Sequence, residues 1–511
     1  MPSASAWREQ AWRWLGQFVV VVVTFSLVRI AVLNVFYTTG DMHDPGWYAS
    51  VIWHNHWRLR GPPAYPERFF NEHLAPILWL ANAGSYVFPW GKYEYYAACL
   101  AAAHALFAAG VYRAWQLGDA RVTGVHAVAA AIVALAAAFG GVAVVALALP
   151  HPELVIPALA LWFMIALASR AYVMAAIWLA ACLIAREDAG LHVFGLLVLW
   201  TGVLTWRQRG LTDDIRWILR FAFAALSYSV AAFVIQRMLF PEGENVVRTY
   251  LGDPPLQHLN GGFVLDRLEY ILRERSYLTL PLLLSIVWAA LSRNPLLPLG
   301  YVAALPWLVF NLLAVHETPG RLAYYYGFPF WLSLAWPLIA LRVWRETSGR
   351  PVARWPYALL LLASVVGWQW NRLVIFPLEQ NPYGDSPFVY SGSLRDRAKA
   401  QAFVDYYLAH RAQFGEAAFD QAVFGLLIDH ADRTTWLEAW PLSRPPETLI
   451  YFIHGYEWRL RVLPLLRTGN YRCVYEVPGT RIRLATKDPL SDRLPVPLEN
   501  MLIVGSLGTR C

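Results

Sequence analysis

The sequence predicts an all-α polytopic membrane protein of about eleven transmembrane helices, with a small extracytoplasmic α/β domain at its C-terminal end. Two observations carry the membrane class. Of 511 residues, 58% are hydrophobic and only 15% charged, with 25 Trp and a mean hydropathy of +0.38; soluble domains carry roughly 25% charged residues. Apolar runs of roughly 15 to 25 residues recur over the first 370 positions, the length a helix needs to cross a bilayer. A soluble enzyme is excluded. Only three of the 42 basic residues are Lys (Lys92, Lys399 and Lys487), and no basic block or aromatic-basic stripe supports nucleic-acid binding.

The first run, 15–37, is too long for a signal-peptide core and lacks a small-residue cleavage site, so it is expected to stay as an anchor. Further spans are expected near 93–112, 122–149, 154–169, 172–185, 191–206, 218–234, 278–291, 296–315, 323–341 and 355–370. The Ala-rich run 122–149 is a candidate for a bend, and the short runs flanking Arg170 for a broken or hairpin pair. Arg29 lies inside the first span, where a central charge costs roughly 2.5–3.5 kcal/mol and calls for a partner or a snorkelling path.

Orientation follows from where Arg collects. Arg8, Arg13, Arg113, Arg121, Arg170, Arg207, Arg209, Arg216, Arg220, Arg293, Arg342, Arg345, Arg350 and Arg354 fall in short segments on one side, which the positive-inside rule assigns to the cytoplasm together with the N-terminus. An odd number of spans then exports the C-terminus. The expected organisation is a membrane core over 1–370, including an outer loop at 38–92, and an exported α/β domain over 371–511; a third outer segment runs from about 238 to 277. The tail predicts a helix near 395–411, a strand at 448–453, and a hairpin in which 471–477 and 481–485 flank a Pro478-Gly479 turn. Cys99 and Cys182 fall inside spans as buried thiols, whereas Cys473 and Cys511 lie in the tail, where an oxidising exterior permits a disulfide.

Phosphate-loop, zinc-protease and dinucleotide motifs are absent from the sequence. Polar residues gather instead at the outer ends of the predicted helices, and such clusters at membrane depth mark functional candidates. The first is Asp41-Met42-His43-Asp44-Pro45-Gly46-Trp47-Tyr48, followed by Trp53. Two carboxylates three apart share one helical face or turn, suiting them to a shared cation or to one acting as base; a solvated loop with a cap at Asp44 is the plainer reading. Next comes Glu72-His73 before Pro76, leading into an apolar stretch suited to the interface. His151-Pro152-Glu153 and Arg186-Glu187-Asp188 each fill a turn between apolar helices. Capping accounts for one carboxylate there, less well for two beside a His. Last is His316-Glu317-Thr318-Pro319-Gly320-Arg321 before Tyr324-Tyr325-Tyr326. Arg321, Arg273 or Arg275 suits a phosphate, and an aromatic belt equally explains the tyrosines.

In this order the motifs Asp44-x-Gly46-x-Tyr48 with Trp53, Glu72-His73 with Pro76, His151-Pro152-Glu153 and Glu187-Asp188-Ala189-Gly190 resemble a bacterial family of polytopic membrane proteins, the domain of unknown function 2079. The resemblance covers most of the chain. One departure is Tyr325-Tyr326, where a His-Tyr pair is expected. The family looks like a branch of the C-type (GT-C) glycosyltransferase superfamily, which implies a helical membrane core, an extracytoplasmic active site and a lipid-linked sugar donor.

That resemblance implies a membrane glycosyltransferase of the bacterial cytoplasmic (inner) membrane. It would use a polyprenyl-phosphate-linked sugar donor and a glycan, lipid or protein acceptor. Asp44, or failing it Asp41, is expected as general base. Tyr48, Trp53, Glu72, His73, His151, Glu153, Glu187 and Asp188 are expected to line the cavity, and Arg321 or Arg275 to meet the donor phosphate. A divalent cation (Mg²⁺ or Mn²⁺) would sit on Asp41 and Asp44. The competing expectation is a transporter or lipid flippase using the same carboxylates as a proton or cation relay. Such proteins often carry inverted repeats, of which the sequence shows none.

Overall fold

The computed structural model describes residues 4–39, 43–55, 58–61, 70, 73–117, 123–241, 246–349, 353–370, 394–430, 435–437, 440–452, 461–478, 480, 482–490 and 503–504. The membrane part opens with α1 (Ala4–Asn34), α2 (His43–Ile52), α3 (Ile77–Ser85) and α4 (Lys92–Gln116). The Ala-rich run divides into α5 (Gly124–Ala138) and α6 (Gly141–Leu147), bent by 48° at the break. There follow α7 (Val155–Ala168), α8 (Tyr172–Leu183), α9 (Ala189–Gln208), α10 (Asp213–Leu239), α11 (Val246–Leu251), α12 (Gly261–Glu274), α13 (Ser276–Ser292), α14 (Leu299–Leu312), α15 (Glu317–Gly320), α16 (Phe328–Ser348) and α17 (Trp355–Trp370).

Every expected apolar run is helical, but length divides the helices into two groups. Trp7–Tyr37, Lys92–Gln116, Ala189–Gln208 and Asp213–Leu239 are long and apolar enough to cross a membrane singly, and the bent pairs α5–α6 and α12–α13 (81°) raise the number to six. The shorter apolar helices, such as Tyr172–Leu183 and Leu299–Leu312, reach only about 18–21 Å at 1.5 Å per residue, against a core of about 30 Å. α3 is shorter still. It exposes Trp79 and Leu80 while burying Leu78 and Asn82, as an interfacial helix does.

α4 is the central helix, packed against α1, α5, α7 and α16. Its buried Ala97, Ala101, Ala105 and Ala108 recur at helical spacing, and small side chains let neighbouring backbones approach. The same packing answers for Arg29. Its Nη2 meets Glu94 Oε2 at 2.5 Å, and its guanidinium lies over the Trp90 ring at 5.5 Å. α9 and α10 approach just as closely at Gly190, where a Cβ would stand 2.1 Å from the Ala225 carbonyl oxygen.

The tail contains α18 (Leu394–Ala409), β1 (Ala417–Phe419), α19 (Gln421–Leu427), β2 (Thr448–Phe452), α20 (Leu463–Thr468), β3 (Cys473–Glu476), β4 (Ile482–Thr486) and β5 (Ile503–Val504). They form a mixed sheet in the order β1-β2-β4-β3-β5. β1 runs parallel to β2, and the expected hairpin is β3–β4, with Cys473 opposite Thr486 and Glu476 opposite Arg483. Asp420 caps α19 through the Val423 amide at 3.0 Å and accepts from the Phe452 amide at 2.8 Å, tying helix to strand. Cys473 is disulfide-bonded, Cys99 and Cys182 are free thiols, and Cys511 lies outside the described residues.

The sheet unit docks on α2 and the start of α4. Tyr93 Oη donates to the Gly425 carbonyl at 2.8 Å, Ser50 Oγ to Asp429 Oδ1 at 2.5 Å, and Lys92 pairs with the other Asp429 oxygen. Gly46 faces the Gly425 backbone so closely that a Cβ would stand 2.9 Å from its Cα.

Gly190→Val should destabilise the α9–α10 pair by about 1–3 kcal/mol, the usual cost of forcing atoms into a packed core. The readout is the melting temperature of the detergent-solubilised chain, and an unchanged value would contradict this contact.

Candidate active site

The site begins at the N-terminus of α2. Asp44 lies in the first turn, where the helix dipole favours a carboxylate, and it is half-buried. One turn later the buried Tyr48 ring meets His151 edge-on, centroids 4.4 Å apart at 86°. His151 ends the loop after α6 and precedes a 3-10 turn, Pro152–Leu154, with Pro152 at its first position, where its fixed φ suits the start. His151 Nδ1 sits against Glu153. The other face of the ring is stacked on Tyr325 at 3.9 Å and 6°.

Tyr325 gets there through a strained turn. Leu322 and Tyr324 hold φ values of 47° and 53°, a left-handed conformation that costs roughly 1–2 kcal/mol for a side-chain-bearing residue and persists only where the surroundings enforce it. Tyr325 stacks in turn on Tyr326 at 4.4 Å, Trp307 Nε1 donates to the Tyr326 carbonyl at 2.7 Å, and Tyr250 Oη donates to Tyr326 Oη at 3.4 Å.

The second half is built around Arg186, in the turn between α8 and α9. Its Nη1 pairs with Glu153 Oε1, while Nε lies 3.2 Å from Asp188 Oδ1 and 3.5 Å from Glu187 Oε1. Glu187 also accepts from His73 Nδ1 at 2.9 Å, and Asp188 lies 3.7 Å from His192 Nε2, one turn along α9. The segment between His73 and α3 is joined to the same turn by the Ile77 amide, which donates to the Ile184 carbonyl at 2.9 Å. Glu153, Glu187 and Asp188 are 4%, 2% and 8% exposed, so three carboxylates are buried around one guanidinium. The second oxygen of Glu187 has no hydrogen-bond partner among the described residues.

Burial opposes charge on Arg186, but Asp188 and Glu187 raise its pKa and keep it cationic. Burial also works against an ionised Asp188, yet Arg186 and His192 hold its carboxyl well below the usual range. His151 goes the other way. Burial drives it well below its ordinary value of 6.5, Asp44 opposes that shift, and Arg186 and His73 add to it. The site thus sets a neutral His151 imidazole in the same cluster as an ionised Asp188, an arrangement suited to proton transfer.

The structure brings together Asp44, Tyr48, His73, His151, Glu153, Glu187 and Asp188 from four separate segments. Trp53 is not with them: its ring stacks on His54 at 4.2 Å and 19°, and His54 is held by Ser85. The ring belongs to an aromatic cluster with His54 and Tyr95 at the end of α2. Arg275 and Arg321 form a neighbouring pair. Arg275 Nε donates to the Arg321 carbonyl at 3.0 Å, both guanidiniums lie over Tyr270 at 5.2 and 4.6 Å, and Arg321 pairs with Glu317. Asp41 and Glu72 lie outside the described residues. No group of three or more His, Cys, Asp or Glu is arranged to hold a metal ion among the described residues.

The sequence motifs include Arg186 and Tyr325 without assigning either a role in the site, and they include neither His192 nor Tyr250. Arg186 had a visible signal, a lone cation beside two acids in a turn between apolar helices. His192, four residues from Asp188, had a weaker one. The tyrosine triplet read as an interfacial belt, yet Tyr324 and Tyr325 are buried.

No family model matches the chain, and a search of curated proteins finds no significant match. Among solved structures the chain is similar to ArnT from Cupriavidus metallidurans bound to undecaprenyl phosphate, with a TM-score of 0.46 and 14% identity over 95% of this chain and 99% of that one. It is also similar to ArnT in the apo state, with a TM-score of 0.45 and 14% identity over 93% and 99%.

Two outcomes test the site. Arg186→Gln strands three buried carboxylates and should cost about 3–5 kcal/mol, the range for breaking a buried ion pair, with partial recovery when Glu187→Gln is added. The depressed His151 value means that below pH 6.5 the unfolded chain takes up a proton the folded site refuses, so stability falls with pH from there. Asp188 contributes only in the more acid window below its ordinary 3.8. His151→Asn should therefore flatten the melting-temperature profile just below pH 6.5, and a profile matching wild type would remove His151 as its source.

Proposed function

We propose that this chain is a GT-C-type glycosyltransferase of the bacterial inner membrane and a member of the domain of unknown function 2079 family, transferring a sugar from a polyprenyl-phosphate carrier to an extracytoplasmic acceptor. The observation that carries the reading is the contact of α2, one turn from Asp44 at Tyr48, with His151, which joins Glu153 and the Arg186–Asp188 turn at one end of an apolar helical bundle. The motif resemblance adds to it.

In this reading the acceptor hydroxyl oxygen attacks the anomeric carbon, the bond from that carbon to the phosphate oxygen breaks, and polyprenyl phosphate leaves. Asp44 takes the hydroxyl proton, and the direct displacement inverts the anomeric centre. Arg275 and Arg321 offer guanidinium donors to the phosphate. An apolar crevice lined by Leu196, Gly300, Ala303 and Phe328 beside His192 offers the isoprenoid chain a non-aqueous path. His73, Glu153, Glu187 and Asp188 orient the acceptor. About eleven helices are proposed to span or re-enter the membrane, with the N-terminus cytoplasmic and the sheet unit outside.

The bends at α5–α6 and α12–α13 favour a second reading, a transporter or flippase, because broken helices often form its substrate sites. The experiment is sugar transfer in proteoliposomes from a panel of radiolabelled polyprenyl-phosphate sugars, with cation and proton flux measured in parallel. Asp44→Asn should lower the transfer rate by about 10²–10⁴-fold, the usual contribution of a general base. Transfer by the variant at the wild-type rate overturns the assignment, and flux without transfer selects the transporter.

A further inference from the structure

The end of the bundle opposite the acidic site carries a feature that the proposed chemistry does not use. α4 is 25 residues long, so Trp115 at its far end stands about 33 Å from Tyr93 at the start. α16 runs from Phe328 beside His192 to Arg342 and Arg345 near its other terminus. Between these far ends lies a cavity of about 210 Å³, well beyond what a few trapped waters need. Its walls combine Leu338, Leu341 and Trp115 with the guanidinium-bearing Arg342, Arg345 and Arg354, and no acidic residue lines it among the described residues.

The three arginines are held differently. Arg354 is fixed by structure: its guanidinium donates to the Trp115 carbonyl at 2.9 Å and the Leu117 carbonyl at 3.2 Å. Arg342 pairs with Glu346, one turn on, but its Nε is buried with no hydrogen-bond partner among the described residues. Arg345 is exposed at the rim. Topology alone accounts for arginines in water at a helix end; it does not account for arginines lining a hollow with leucine walls.

We propose that this cavity binds the phosphodiester headgroup of an anionic phospholipid, with Arg342 and Arg345 on the phosphate and Leu338 and Leu341 against the start of the acyl chains. Arginine forks suit phosphate oxygens, and basic pockets between membrane helices are known receptors for such headgroups. The leucine walls select the lipid over a free anion. The inference is independent of the reaction at the other end.

The test is thermal melting of the purified full chain in neutral detergent, titrated separately with dioctanoyl phosphatidylglycerol, dioctanoyl phosphatidylcholine and inorganic phosphate. Phosphatidylglycerol should raise the melting temperature saturably and phosphatidylcholine should not. R342Q/R345Q should shift half-saturation by about tenfold or more. Equal responses to the two lipids, or an unshifted half-saturation in the variant, overturn the proposal. Inorganic phosphate reproducing the response at the same concentration overturns the lipid source and assigns the cavity to a free anion. Should R342Q/R345Q not elute as a folded species, R345Q alone, which changes only the exposed rim residue, carries the same comparison.

Discussion

Everything at the acidic end depends on one guanidinium. Glu153, Glu187 and Asp188 are almost wholly removed from water, and carboxylates buried without a counter-charge take up protons or unfold the site instead. Arg186 supplies that counter-charge, and in doing so it fixes the α6–α7 turn, which carries Glu153, against the α8–α9 turn. Glu187 extends the hold to His73 and the approach to α3; Asp188 extends it to His192 on α9. A cap that served only helix termini would use one carboxylate per turn and leave it in solvent. Three buried carboxylates share one cation here, and the second oxygen of Glu187 has no protein donor among the described residues. That open acceptor suits a site that receives hydroxyl donors.

Asp44 is held by a different part of the molecule. It rides on a ten-residue helix, shorter than an isolated helix needs to persist in water. α2 gains order by packing on α4 and on the sheet unit, through Gly46 against Gly425 and Ser50 on Asp429. Lys92 is shared: it pairs with Asp429, and burial, which opposes ionisation of that carboxyl, is outweighed by Lys92, so its pKa falls. The sheet is therefore tied to the helix that carries the proposed base, less than one turn from Asp44 at the Gly46 contact. Loss of the sheet would release α2 and leave the base without a fixed direction.

Hydropathy made the helices legible because lipid-facing segments have to be apolar whatever their partners, and period-two patterning with Pro478-Gly479 made the hairpin legible for the same local reason. What pattern cannot supply is which distant segments meet. Arg29 read as an unexplained charge because Glu94 lies 65 residues away. His73 and Glu187, separated by 114 residues, were each visible as polar outliers but not as a pair. Trp53 went astray because adjacency to the Asp44 motif says nothing about direction: α2 ends at Ile52, and the chain turns Trp53 onto His54. Tyr325 was discounted as a belt residue because its burial rests on a left-handed turn at Leu322 and Tyr324, and none of those residues advertises a positive φ.

The molecule is bipolar along the membrane normal, and the polarity constrains its topology. The acidic junction and the docked sheet share one end of the bundle; the other gathers Arg354 with the Trp115 and Leu117 carbonyls and Arg207 over Trp344 at 3.8 Å. Because positive residues are retained on the cytoplasmic side, the proposed orientation exports the carboxylates and the sheet together. In that proposed orientation one sorting rule would serve both ends, setting the carboxylates toward the proposed exported acceptor and the arginines toward the leaflet where anionic headgroups supply a negative surface potential. Reversing the chain would cost both at once, setting the arginine cavity outside and the acidic site against a negatively charged surface. The charge asymmetry is therefore as much a part of the site as the residues that line it.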